Sequence, residues 1–246
     1  MPKFSIDINA DVGEGVGNEN ELMPYLSSCN IACGGHAGDL ITMTHVAKLA
    51  AKHGVKIGAH PSFPDKVNFG RLPMTIDDNN LSISLLRQIN DLYKVLVEND
   101  LTLNHVKPHG ALYNLAATNM NKASLIIAVI KELPSHVKLY VPFGSIIADL
   151  AIKNNIPIVY EAFADRNYND DLTLVSRKEN NALIHDADEM FQHVHKMVTQ
   201  QKVRTLNGNE VDIEAQTFCL HGDNPEAINL LKSLRLKLEE NGIEVL

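Results

Sequence analysis

The sequence predicts a β/α barrel closed by about seven parallel strands, one short of the standard eight. Three observations carry that prediction. Short apolar runs alternate with stretches of helical period along the whole chain, the pattern of a mostly parallel sheet covered by helices. The length, 246 residues, is one that α/β barrels use as a single domain, and no linker or low-complexity tract divides residues 1–246. Chemically unusual residues follow nearly every strand, whereas an open doubly wound sheet would gather them at one switch point.

The elements follow in order. Residues 4–10 alternate polar and apolar and read as the first strand; 28–33, 55–59, 105–107, 138–141, 156–160 and 217–220 are the next six. Leu40, Met43, Ala47 and Ala50 share one helical face and stop at His53-Gly54. Residues 83–97, 123–130, 146–152, 190–198 and 227–238 have the same spacing, the last stopping at Asn241-Gly242.

Composition excludes several roles. With 45% hydrophobic and 21% charged residues the chain is ordinary globular protein, not disordered. A net charge of -8 gives no basic footprint, so nucleic acid is not an expected partner. The longest apolar run, around 123–130, is too short to span a bilayer. Met1-Pro2-Lys3 leads into an alternating strand without the apolar core of an export signal. Cys29, Cys33 and Cys219 are too few for a disulfide framework. A cytoplasmic protein is expected.

The strand ends carry the chemistry. They read Asn9-Ala10-Asp11-Val12-Gly13-Glu14, Gly34-Gly35-His36, Gly58-Ala59-His60, Lys107-Pro108-His109, Glu161-Ala162-Phe163-Ala164-Asp165-Arg166 and Cys219-Leu220-His221-Gly222-Asp223. Strand parity puts Asp7, Asn9 and Asp11 on one face, Lys107 and His109 on another, and Cys219, His221 and Asp223 on a third. Turned inward, these faces converge on one barrel mouth. Of the 11 histidines, His45, His53, His136, His185, His193 and His195 lie in helical or linking segments and read as ordinary. His36, His60, His109 and His221 each follow a strand beside Gly or Pro, and that repetition marks them as functional.

Asp11, His60, Lys107, His109 and His221 are therefore the candidate catalytic groups, suited to general acid and base work. Asn9, Glu14, His36, Arg71, Asp165, Arg166 and Arg177 are the candidate substrate contacts, the arginines fitting a carboxylate. Asp11 with His36, His60, His109 or His221 also offers the ligands of a Zn²⁺ or Mn²⁺ site, although no HExxH-type signature occurs. No phosphate loop is encoded, because Asn18 stands where GxGxxG needs its last glycine. Ser62 lacks a nucleophile elbow, and Cys219 reads as packing.

Eight motifs together resemble the LamB/YcsF family. They are DINADVGEG from Asp7, NIACGGHAGD from Asn30, GAHPSFPD and NFGR between Gly58 and Arg71, HVKPHGALYN from His105, EAFADRNY from Glu161, LVSR from Leu174 and CLHGD from Cys219. They run in order through nearly the whole chain. The main departure is Gly35, where many relatives carry an aromatic residue. The resemblance implies a seven-stranded barrel like that of carbohydrate deacetylases. It also implies a 5-oxoprolinase activity, opening 5-oxo-L-proline to L-glutamate with ATP hydrolysis, shared with partner subunits B and C. ATP is expected to act through those partners, since this chain has no phosphate loop; a divalent metal is left open.

In that scheme Asp11 or His60 is the base for water, and His109 or His221 the acid for the leaving nitrogen. Lys107 and Asn9 face the oxyanion, and Arg71 or Arg177 holds the substrate carboxylate. The alternatives are a metal-dependent amide or carbohydrate deacetylase, and a binding subunit that captures the lactam without transforming it.

Overall fold

A computed structural model describes residues 4–222 and 226–246. Seven parallel strands close a barrel: β1 (Phe4–Val12), β2 (Ser28–Ala32), β3 (Lys56–His60), β4 (Leu103–Val106), β5 (Lys138–Pro142), β6 (Ile158–Phe163) and β9 (Thr217–Cys219), with β9 pairing back onto β1. Between the last two of these, β7 (Lys202–Arg204) and β8 (Glu210–Asp212) form a separate antiparallel hairpin. β10 (Ile243–Val245) adds to the first half of β1.

The helices are α1 (Glu19–Leu22), which runs into a 3₁₀ turn (Met23–Tyr25), α2 (Leu40–His53), α3 (Asp78–Glu98), α4 (Gly110–Thr118), α5 (Met120–Lys131), α6 (Ile146–Lys153), α7 (Ala187–Gln200) and α8 (Ala227–Glu240). Among the described residues no helix is long and apolar enough to cross a membrane.

The expected strands all form, with shifted ends. Ile156 belongs to the turn that closes α6, its N–H donating to Ala151 O, and the sixth strand starts only after Pro157. The expected stop after α2 is Gly54 in the left-handed region, φ 72°. α4 is not among the expected helices. Its Ala111, Leu112, Tyr113 and Ala116 are all buried, so its nine residues show little of the polar face that marks a helix in sequence. The hairpin and β10 have strands of three residues, too short to display a period.

The apolar core lies between barrel and helices rather than inside the barrel. Ile6, Ile8 and Ala10 of β1, Cys29 and Ile31 of β2, Ile57 and Ala59 of β3, and Phe218 of β9 pack outward into it. The alternate residues turn inward and are mostly polar. At the bottom, Ser28 and Thr217 donate to Asp7 Oδ1, each at 2.6 Å. In the middle, Asn30 Nδ2 donates to Asn9 Oδ1 at 2.7 Å, and Asn9 Nδ2 donates to Glu161 Oε1 at 3.0 Å. His105 bonds Asn30 Oδ1 through Nε2 at 2.7 Å and stacks on Tyr140 with centroids 3.8 Å apart. Barrels of this kind are ordinarily filled by branched aliphatic side chains; here a hydrogen-bonded column fills the space, its side chains answering one another across the strands.

Gly58 leaves room for the His105 ring, which a Cβ at that position would overlap. Gly58→Ala is therefore expected to push His105 off Asn30 and to destabilise the protein by about 1–3 kcal/mol. Urea denaturation measures the effect; a midpoint equal to that of the unaltered protein would contradict this account.

Candidate active site

Six strand ends deliver the site. Asp11 ends β1's inward face, and Glu14 follows in a turn held by the Gly13 N–H donating to Glu19 Oε1 at 3.1 Å. The loop after β2 brings His36, the end of β3 brings His60, and the segment leaving β4 brings Lys107 and His109. β6 contributes Glu161 and, just beyond it, Asp165; β9 contributes Cys219, with His221 two residues on.

Lys107 is the hub. Its Nζ lies 3.0 Å from Asp11 Oδ1, 2.9 Å from Glu161 Oε1 and 3.0 Å from Cys219 Sγ, and it is almost wholly buried. Burial opposes its charge, but Asp11 and the other partners overcome that penalty and hold the ammonium well above its ordinary pKa. Burial likewise works against ionised Asp11, and His60 and Lys107 outweigh it, so the carboxyl stays well below the usual carboxylate range. Cys219 shows the opposite balance: burial pushes its thiol well up despite Lys107, which leaves it protonated and unsuited to attack.

The histidines form two groups. His60 Nε2 lies 3.2 Å from Asp11 Oδ2 and 2.9 Å from His109 Nδ1. His36 bonds Glu14 Oε1 through Nε2 at 2.9 Å and stacks on His109, centroids 3.7 Å apart and planes 4° from parallel. Burial lowers the pKa of both His36 and His109. Across the mouth, the N–H of His221 donates to Asp165 Oδ2 at 3.0 Å, its ring Nδ1 stands 3.0 Å from the same oxygen, and the ring stacks on Phe163. Burial would raise the Asp165 carboxyl, but His221 keeps it lowered.

Asp11, His60, Lys107, His109 and His221 line one cavity of about 380 Å³, within the usual range for small-molecule sites. A neighbouring cavity of about 260 Å³ shares Tyr113, Asn114, Phe163 and Leu174 with it and reaches Glu161. Three buried atoms here have no hydrogen-bond partner among the described residues: Tyr113 Oη, Glu161 Oε2 and His36 Nδ1. Such atoms are costly unless a ligand or ion uses them. Two clusters have metal-ligating composition, Glu14 with His36, His60 and His109, and Asp11 with Cys219 and His221.

The sequence profile of the LamB/YcsF family matches residues 6–246. This chain belongs to the LamB/YcsF family. It is 42% identical over 247 residues to a Bacillus anthracis protein named as the A subunit of 5-oxoprolinase, the alignment covering 98% of each chain. A solved structure titled as the lactam utilization protein from Thermus thermophilus superposes with a TM-score of 0.92 at 36% identity, covering 98% of this chain and 99% of that one. The family 4 carbohydrate esterase from Streptomyces lividans, solved with acetate, superposes at 0.50 and 10% identity over 100% of this chain and 93% of its own. That last likeness is one of fold alone. The expected kinship of this barrel with deacetylase folds is thus met.

The LamB/YcsF barrel brings most of the expected residues together, with Arg71, Arg166 and Arg177 on the cavity wall. Some sit differently from expectation. Asn9 is fully buried one layer beneath Asp11, its amide committed to Glu161 and Thr217, so it does not reach the mouth. Shared parity puts it on the right face, but two residues of strand lower it by about 7 Å. Asp165 serves His221 rather than facing the cavity. Arg166 donates from Nε to Ala182 O and from Nη2 to Val175 O, which ties down the loop around residues 175–182. Ser62 spends its hydroxyl on Phe63 O. Asp223 lies outside the described residues.

Gly35, where an aromatic residue is the expectation from the resemblance, has no room for a side chain. A Cβ there would overlap the side chains of Gln88 and Ser62. Gln88 in turn clamps Ser62 through both backbone groups, accepting from its N–H and donating to its carbonyl, each at 2.9 Å. The LamB/YcsF chain therefore fills from α3 the space behind His36 that an aromatic residue at position 35 would need.

Sequence reasoning misses Glu161, Tyr113 and His105. Glu161 has a signal, since a carboxylate between Tyr160 and Ala162 in a parallel strand is unusual in an ordinary barrel. Tyr113 has none, because its helix shows no polar face.

Proposed function

We propose that this chain is the A subunit of a 5-oxoprolinase, opening 5-oxo-L-proline to L-glutamate coupled to ATP hydrolysis and working with partner subunits B and C. The observation that carries the chemistry is the Asp11 carboxylate, held ionised between Lys107 and His60 and lining a cavity together with His221, which is backed by Asp165. That places a base and an acid within 4.8 Å of each other at the edge of a small-molecule space. The choice of substrate is supported by two relatives, the 42% identical protein named for 5-oxoprolinase and the 36% identical lactam utilization protein.

A five-membered lactam keeps its amine beside its carbonyl, so closure is favoured by effective molarity and opening is uphill. Phosphorylation of the lactam oxygen on a partner subunit makes the ring carbon electrophilic. Asp11 takes a proton from the attacking water, and Lys107 faces the charge that develops on the tetrahedral centre. Cleavage of the C–N bond sends its electron pair to nitrogen, which takes a proton from His221. A second water then releases phosphate and leaves glutamate. The wall nearest solvent is cationic: Arg71 lies 4.9 Å from the centre of the Phe69 ring, and Arg177 stands close enough to Arg166 to lower its pKa, after burial itself. Arg71 or Arg177 holds the substrate carboxylate.

The test is glutamate and ADP release from 5-oxoproline and ATP, with this chain alone and with subunits B and C. Turnover is expected only in the full mixture. Folded partners that give no glutamate in any mixture would remove the reading. Full turnover in a mixture lacking this chain would reduce it to lactam capture.

A further inference from the structure

Hydrogen-bond direction around His60 and His109 fixes where their protons sit. His60 Nδ1 stands 2.7 Å from the carbonyl oxygen of Lys107, and His109 Nε2 stands 3.0 Å from that of Phe69. A carbonyl only accepts, so both of those ring nitrogens carry their protons. A neutral imidazole has one N–H. With both rings neutral, the other two nitrogens, His60 Nε2 and His109 Nδ1, are lone pairs that face each other at 2.9 Å. What surrounds them only accepts as well: Asp11 Oδ2 is 3.2 Å from His60 Nε2, and Glu14 Oε1 is 3.5 Å from His109 Nδ1 and 3.9 Å from His60 Nε2. Four acceptor atoms converge on one point in a buried place.

Something positive has to sit among them. One proton on His60 Nε2 answers only one of Asp11 Oδ2 and His109 Nδ1, and an N–H at His36 Nε2 answers Glu14 Oε1, which still leaves one buried acceptor without a donor. The composition asks for more: three carboxyl groups, of Asp11, Glu14 and Glu161, gather here around the single ammonium of Lys107. We propose that Glu14, His36, His60 and His109 bind a divalent transition-metal ion, with Zn²⁺ the best fit. One donor atom from each of the four lies within 4.8 Å of all the others. Donors about 2.0–2.1 Å from a tetrahedral ion stand roughly 3.3 Å apart, and four of the six separations here, from 2.9 to 3.9 Å, bracket that value.

The surroundings have the form such sites take. Metal-bound histidines ordinarily donate their second N–H to a carbonyl or carboxylate, which fixes tautomer and ring direction. His60 and His109 both do so here. Three imidazoles and a carboxylate suit a borderline ion such as Zn²⁺ better than Mg²⁺ or Ca²⁺, which prefer oxygen. His36 turns Nε2 to the same point, 2.9 Å from Glu14 Oε1. The cluster containing Cys219 is the weaker candidate, because that thiol is kept protonated. A bound ion would supply Lewis acidity at the floor of the cavity. This inference does not rest on the identity of the substrate.

The test needs no substrate. The full chain is stripped with a chelator, exposed to Zn²⁺, Co²⁺ or Mn²⁺ alone, desalted and analysed for metal. Ring-nitrogen NMR is recorded alongside. About one Zn²⁺ per chain is expected, with His60 Nε2 and His109 Nδ1 shifting together on uptake. His109→Gln and Glu14→Gln should each weaken binding, the former by at least about 100-fold, beyond the loss typical of removing only a ligand's hydrogen-bond partner. Less than about a tenth of an ion per chain with all three metals would overturn the proposal. So would stoichiometric binding that both variants leave unchanged. A wild-type spectrum with protons on both His60 nitrogens, unmoved by any metal, would assign the position to a shared proton instead.

Discussion

Lys107→Met is expected to destabilise the barrel by about 3–5 kcal/mol, the typical cost of removing one member of a buried charge cluster. Nζ contacts Asp11 and Glu161, and all three side chains are nearly inaccessible to water. Methionine matches the length of the stem but leaves two carboxylates buried without their cation. The loss is therefore the penalty of stranded charge, not the value of a salt bridge. Adding Asp11→Asn and Glu161→Gln should return much of the stability, and urea denaturation of single and triple variants measures both steps. A single variant as stable as the parent would contradict the hub described above.

The pH dependence has a definite sign. The Lys107 pKa is raised in the folded state, so its contribution is complete below the unfolded value near ~10.4 and is lost as pH rises through the folded one. The Asp11 pKa is lowered, so its contribution is present above ~3.9 and is lost as pH falls through the folded value. Between those limits the pair contributes a plateau that Lys107→Met abolishes.

The second large effect is on rate. In a complex with subunits B and C, Asp11→Asn is expected to lower glutamate release by about 10²–10⁴-fold, with the unfolding midpoint falling by the part of the plateau that Asp11 contributes. The amide is isosteric, and Lys107 keeps Glu161 as a partner, so the fold tolerates the change. What disappears is the acceptor for water's proton. A rise in KM with kcat intact would place Asp11 in ground-state binding, and activity within a few-fold of the parent would remove it from the chemistry. His221→Asn tests the acid; its loss should lower glutamate release by about 10²–10⁴-fold as well.

Much of this architecture is legible in the sequence because a parallel barrel writes itself in two periods. Apolar alternation alone places Ile6, Ile8 and Ala10 outward, and the intervening Asp7, Asn9 and Asp11 inward. The Gly- and Pro-flanked histidines likewise mark strand ends. Depth is not legible. Parity cannot say that Asn9 stops short of the cavity while Asp11 reaches it, because strand stagger in the closed barrel sets the height of each residue. Pairing is not legible either: Asp165 reads as a free carboxylate until His221, 56 residues on, is seen beside it. Arg166 reads as a substrate contact for the same reason, its carbonyl partners lying in a loop with no sequence signature. Glu161 stands in a strand-end run, but its role is not legible there, because only closure of the ring brings it to Lys107.

The polar column inside the barrel also bears on how this protein can change. A one-residue slip of β1 would drive Asp7, Asn9 and Asp11 into the aliphatic layer and Ile6, Ile8 and Ala10 into the column. Both faces resist it, so strand order and register are held by mutual exclusion as well as by attraction. The same arrangement makes single substitutions in the interior costly, since side chains there are answered by several others on different strands. Asn30 alone meets Asn9, Asp11 and His105. Mutational paths through this interior therefore run by correlated exchange of whole layers, and the neutral drift available to an oily barrel is closed to this one.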